Sequence, residues 1–203
     1  TVGVPGGQVV VELGDAGDRH VEAHLLHALA HRVDRAVQRP QRLVVGGVVC
    51  VGDLRFGCLL CPAAIHSIFD PHEWIADLAA FVREVHAAAV PFVGVCFGQQ
   101  LLAHALGGRV ERAATGWGAG IGTIAVDAGA PWMDPPAEKL ALHFMHQDQV
   151  VELPPGGEVL GHADHCPVAL LSVGPAAIGV QAHPEFTPAY TDALLADRVA
   201  RIG

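Results

Sequence analysis

Residues 91–108, PFVGVCFGQQLLAHALGG, restrict what this chain can fold into more than any other stretch. Four apolar residues at 92–95 read as a short buried strand, and a helical run begins near Phe97 and stops at Gly107 and Gly108. Between them sits Cys96, with Gly94 two residues before it and Gly98 two residues after. That spacing is the mark of a nucleophile elbow, a sharp strand-to-helix turn whose strained backbone and close neighbours call for glycine. Such a turn presents the thiol at a helix N-terminus, where the free N–H groups favour an anion. The same spacing is also compatible with an unreactive buried cysteine in an ordinary connection.

A second segment, residues 179–186 (GVQAHPEF), bears on that choice. His183 and Glu185 are two apart in a strand-like context, so both side chains can face the same way. A nucleophile needs a base, and the base needs a group that fixes its tautomer. Cysteine, histidine and carboxylate supply those three roles.

Together the two segments, Gly94-Val-Cys96-Phe-Gly98-Gln-Gln100 and His183-Pro184-Glu185, carry a G-x-C-x-G elbow followed by glutamine and a late H-P-E. In both the chain resembles the class I glutamine amidotransferase family, and its GMP-synthase-like branch in particular. The similarity runs over roughly residues 54–190, and the first fifty residues add little. The resemblance implies that Cys96 attacks a side-chain carboxamide, that His183 acts as base and then acid, and that Glu185 orients the imidazole. A γ-glutamyl thioester follows, which water releases as glutamate. It also implies an oxyanion hole from the backbone N–H of Phe97 and of Ala63. Ala63 stands where the family has glycine, and its β-carbon disfavours positive φ and tight approach.

The resemblance extends to substrate contacts at Gln100 and in residues 146–150 (HQDQV), where His146 and Gln147 are the candidates. Residues 164–167 (DHCP) resemble a further family turn. No cofactor and no metal is implied. Implied partners are glutamine or a γ-glutamyl substrate, and a separate ATP-dependent synthetase that receives ammonia, since no P-loop G-x-x-x-x-G-K-[ST] is present. A γ-glutamyl peptidase with the same triad, or a catalytically weak regulatory relative, also fits. Cysteine-elbow proteins of the protease and deglycase type place histidine directly after the nucleophile, where this chain has Phe97. The acceptor and the oligomeric state are not readable.

Composition narrows the setting. At 203 residues the chain is expected to form a single domain with a proper core. A net charge of −9 argues against nucleic acid as a partner. The first residues show no basic stretch followed by an apolar one, so no signal peptide is expected. Residues 85–108 carry no formal charge, but Pro91, Gly94, Gly98 and His104 break them into strand, turn and helix rather than a membrane span. Five cysteines, an odd number, suit reduced thiols in a cytoplasm. Cys58 and Cys61 form a C-x-x-C pair in an apolar strand-like run; without a second pair they read as structural rather than zinc-binding.

The remaining pattern is that of an α/β protein: a three-layer, mostly parallel sheet with helices on both faces and a small antiparallel extension, the flavodoxin-like amidotransferase fold. Strands are expected at 9–13, 43–51, 57–61 and 92–95. Short strands follow at 121–126, 141–145, 150–153, 158–162, 168–173 and 177–181, with a loop at 115–120. Helices are expected at 18–37, at 70–89 and at 187–201. The second of these starts with Asp70 as N-cap and Pro71 at the first helical position. In the first, His20, His24, His27 and His31 share one face; that face reads as a metal-chelating or pH-sensing ridge, or as a solvated surface, and the solvated reading is preferred.

Overall fold

The computed structural model describes strands 42–45, 48–53 and 58–61, then residues 66–127, 133 and 135–202. The expected strand at 9–13, the helix at 18–37 with its four histidines, and Ala63 lie outside the described residues.

Among the described residues, nine strands form one curled mixed sheet in the order β1-β2-β3-β4-β11-β10-β9-β6-β7. Its centre is parallel: β3 (Cys58–Cys61) and β11 (Ala177–Val180) flank β4 (Phe92–Val95) and run with it. Antiparallel pairing extends this centre on both sides, through β1 (Arg42–Val45) and β2 (Val48–Asp53) on one and β10 (Cys166–Val173), β9 (Gly157–Ala163), β6 (Gly118–Val126) and β7 (Lys139–His146) on the other. The antiparallel share is therefore larger than the sequence suggested. The stretch at 43–51 divides into the hairpin β1–β2, with Val45 opposite Val48. Gly46-Gly47 between those ends is the sequence signal for it. Residues 118–120, expected as loop, belong to β6. A separate pair joins β5 (Arg109–Arg112) to β8 (Asp148–Glu152). β5 has a single buried residue, Val110, too little for an apolar pattern to announce it.

Helix α1 spans Glu73–Ala87 and buries Ile75, Leu78, Ala79, Val82 and Val85, with Trp74 and Phe81 packed at the edge of that face. Its start differs from expectation. Asp70 does not cap it; the carboxylate instead accepts from the Ser67 N–H at 3.1 Å, closing a turn before the helix, and His72 takes the N-cap position without a side-chain bond. Local side-chain bonding of aspartate competes with helix entry, and here it wins. At the far end Ala89 turns out of the helix with φ 52°.

Helix α2, Phe97–Ala105, sits on the same face of the sheet as α1. Strand alternation explains how. Phe92 points into the helix-side core, whereas Val93 and Val95 point into the core on the other face. Gly94 thus faces the helix beside Phe92, and its partner across the ladder is Gly179 of β11. A β-carbon on Gly94 would stand 2.4 Å from the carbonyl oxygen of Gly98, and one on Gly179 2.8 Å from Cγ of Gln99. Two adjacent glycines form a flat floor on which the first turn of α2 rests. The last helix, α3, spans Pro188–Ile202. Among the described residues no helix is long and apolar enough to cross a membrane.

The floor makes a prediction. Gly94→Ala forces α2 off the sheet and should cost at least about 2 kcal/mol, since the atoms it would meet are backbone atoms of Gly98 and Gln99. Gly116→Ala, which adds its β-carbon to open space at φ 83°, should cost only about 1–2 kcal/mol of backbone strain. Urea midpoints of the two variants test the ranking.

Candidate active site

The parallel register between β4 and β11 does the assembling. Val95 pairs with Val180, so the next residues of both strands, Cys96 and Gln181, emerge side by side at the carboxyl edge of the sheet. In open α/β sheets that edge is where ligands bind. Cys96 continues the ladder by donating its N–H to the Val180 carbonyl at 2.7 Å, and its own carbonyl receives the Gln100 N–H at 3.1 Å. Between those two bonds its backbone adopts φ 51° and ψ −101°, a conformation that costs on the order of 1–3 kcal/mol and persists only where the surroundings enforce it. The expected strained elbow is present.

His183 follows two residues after Gln181. Its N–H donates to the His143 carbonyl at 2.7 Å, which ties the segment to β7. Its ring is fixed on two sides. Nδ1 lies 2.8 Å from Oε1 of Glu185, and Phe186 stacks on the ring face at a centroid distance of 3.9 Å. Nε2, facing away from the carboxylate, is buried without a hydrogen-bond partner. Burial alone drives the His183 imidazole down, but negative charge on Cys96 and contact with Cys96 and Glu185 outweigh it and push it up to about 10.

Cys96, Phe97, Gln100, His146 and Gln147 line one pocket of about 120 Å³. His183 and Glu185 are not among the residues that line it. Gln100 is buried, and its Nε2 donates to the Asp148 carbonyl at 2.6 Å and to Oε1 of Gln181 at 3.3 Å. Cys166, by contrast, is a closed structural thiol: burial pushes it up to about 12.

Two residues at the site escaped sequence reasoning. Gln181, fully buried, aims Nε2 at Sγ of Cys96 at 3.5 Å. The β4–β11 register would have pointed to it, but pairing is not visible in one sequence. Asp148 was passed over inside the 146–150 loop. It lines the pocket, and its Oδ2 accepts from the Ser67 hydroxyl at 2.5 Å, joining the segment after β3 to the β7–β8 turn.

His146 is the opposite of His183. Burial, helped by His165 and His183 nearby, outweighs the raising contact with Gln149 and lowers it to about 3. A lowered folded-state value means that the unfolded chain takes up the proton first as pH falls. Stability should therefore drop from about pH 6.5 down toward pH 3, by up to about 1.4 kcal/mol per pH unit from this group. His146→Gln should flatten that part of the profile of unfolding midpoint against pH.

The family model described as glutamine amidotransferase class-I matches residues 69–201. Gamma-glutamyl peptidase 2 of Arabidopsis thaliana is 32% identical over 127 residues, covering 61% of this chain and 51% of that protein. A GMP synthase [glutamine-hydrolyzing] of Synechocystis is 38% identical over 103 residues, covering 50% of this chain and 19% of that protein. The chain thus spans about half the length of the peptidase and a fifth of the synthase. Among solved structures, a glutamine amidotransferase from Thermotoga maritima superimposes with a TM-score of 0.63 at 17% identity, over 72% of this chain and 64% of that one, and shares the fold. One from Methylobacillus flagellatus gives 0.58 at 26% identity, over 65% and 53%. With the family model spanning well over half of its residues, the chain belongs to the class-I glutamine amidotransferases.

Proposed function

We propose that this protein hydrolyses the side-chain amide of glutamine at Cys96, with His183 and Glu185 completing a triad, and that a separate synthetase takes up the ammonia. The observation that carries this reading is the strained Cys96 at the carboxyl end of β4, next to an imidazole whose other nitrogen is held 2.8 Å from a carboxylate.

In this mechanism Sγ attacks the amide carbon. The C–N bond breaks as the His183 imidazolium delivers a proton to the departing nitrogen, and ammonia leaves a γ-glutamyl thioester. Water then adds while His183 accepts its proton; the C–S bond breaks and glutamate departs. The oxyanion of each tetrahedral intermediate accepts from the Phe97 N–H, the first of α2, and from the N–H of Ala63, which follows β3. The alanine β-carbon makes this second donor the weaker of the two. Gln181, donating toward Sγ, helps hold a negative sulfur. Gln100, His146 and Gln147 contribute to the wall that receives the glutamyl group. Free thiols at Cys96 and Cys166 suit a cytoplasmic setting.

A second reading, γ-glutamyl peptide hydrolysis, uses the same atoms. It is favoured by the Arabidopsis relative, whose match covers more of this chain than the synthase match does. Turnover of free glutamine against γ-glutamyl dipeptides separates them: release of ammonia from glutamine supports the first, and cleavage of dipeptides alone the second. In either case Cys96→Ala should reduce the rate at least about a thousandfold. Absence of both activities in the parent protein would leave a regulatory relative.

The triad reading also fixes a pH behaviour. Because the folded value of His183 is raised, its proton stabilises the fold fully below about pH 6.5, and that contribution is lost as pH rises through about 10. The ring resonances of His183 in NMR spectra should therefore not titrate between pH 6 and 8. In Cys96→Ser the largest raising influence is gone and burial dominates, so the titration should move to lower pH.

A further inference from the structure

The turn that follows β3 and precedes α1 brings three metal-ligating side chains together. His66 Nδ1 lies 3.2 Å from Asp70 Oδ2, and the donor atoms of His66, Asp70 and His72 all lie within 4.8 Å of one another. From this geometry we infer that His66, Asp70 and His72 form a binding site for a divalent transition metal ion at the rim of the Cys96 pocket, and that occupancy restricts access to the thiol.

Two imidazoles and one carboxylate are a donor set suited to zinc and its neighbours, and poorly suited to calcium or magnesium, which prefer oxygen. Bonds of about 2.0–2.1 Å in a tetrahedral site put ligand atoms about 3.3 Å apart. The His66–Asp70 pair already meets that spacing. The remaining closure falls to His72, which is exposed and able to rotate.

The scaffold is braced in the way a metal site needs. Asp70 is held by the Ser67 N–H at 3.1 Å, and the turn by the Asp70 N–H to the Ser67 carbonyl at 3.1 Å and the His72 N–H to the Asp70 carbonyl at 2.8 Å. The His66 ring meets Trp74 edge-on at 5.4 Å, and His72 stacks over Trp74 at 6.0 Å. Trp74 in turn contacts Phe97, the residue after Cys96, at 5.8 Å. The bond from Ser67 and the contact with Trp74 limit the rotamers of Asp70 and His66 before any ion arrives, which lowers the entropy lost on binding and leaves the last adjustment to His72.

Placement gives the site its consequence. His66 and Asp70 line the same pocket as Cys96. An ion there carries its remaining coordinated water to the pocket rim, narrowing it, and adds positive charge to a wall that the substrate must pass. The resemblance implied no metal, and H-x₃-D-x-H is not a spacing with a familiar ligand pattern.

The test uses the full chain with cobalt(II) and zinc chloride as probes. In a Cys96→Ser background, which removes the competing thiol, cobalt should give the visible bands of a four-coordinate nitrogen and oxygen site. His72→Ala should weaken zinc affinity about ten- to hundredfold, whereas replacing His20, His24, His27 and His31 with Gln should leave the bands in place. With Cys96 intact, zinc should slow iodoacetamide alkylation of Cys96 in the parent protein and lose that effect in His72→Ala, whose side chain is outside the pocket lining. Equal slowing in both proteins would mean that zinc acts at the thiol itself and overturns the proposal. So would bands lost only with the four N-terminal histidines, or no cobalt binding at about 0.1 mM. Metal binding is read separately from amide hydrolysis, so either result stands whatever the substrate proves to be.

Discussion

The pairing of β4 with β11 is the constraint on which the site depends. Residues 96 and 183 are far apart in sequence, and nothing local brings them together. The ladder does so through backbone bonds alone: Val95 opposite Val180 sets Cys96 beside Gln181 and leaves His183 two residues further along the same edge. Its last bond, from the Cys96 N–H to the Val180 carbonyl, belongs at once to the sheet and to the elbow. The pair Gly94 and Gly179 is the packing requirement of the same ladder, since a larger side chain at 94 would meet the backbone of α2 and lift the cysteine with it, and one at 179 would displace the Gln99 side chain.

Much of this was legible in the chain. The elbow could be read from Gly94, Cys96 and Gly98 because strain and close approach leave few residue types able to occupy such a turn. The core face of α1 was readable from its helical spacing of Leu78, Val82 and Val85. What stayed hidden depends on pairing or on local competition. β5 exposes three of its four residues, so no alternation marks it. The residue type of Asp70 suits a helix cap, but the same carboxylate closes the turn before the helix, and sequence does not rank the two. Gln181 reads as one more residue of a strand until the register shows its amide beside the sulfur.

Two buried histidines at the site illustrate how neighbours decide what burial does. His146 and His183 are both nearly inaccessible. Around His146 stand an aromatic ring and two further imidazoles, so desolvation outweighs the one raising contact, with Gln149, and the ring stays neutral. Around His183 stand a thiol and a carboxylate, and the same desolvation is outweighed. The chain keeps one imidazole uncharged and the other charged a short distance apart, which is how environments divide roles among groups of one type.

The left-handed conformation of Cys96 bears on when the protein becomes reactive. Nothing in residues 92–98 alone favours a non-glycine residue at φ 51°; the backbone bond that holds it comes from Val180, in β11, far along the chain. During synthesis the cysteine is therefore an ordinary flexible thiol for as long as β11 has not been made. The histidine that accompanies it arrives on the same late segment. Loss of residues from about 177 onward would remove the shape of the nucleophile together with its base, so a shortened chain holds no half-active form.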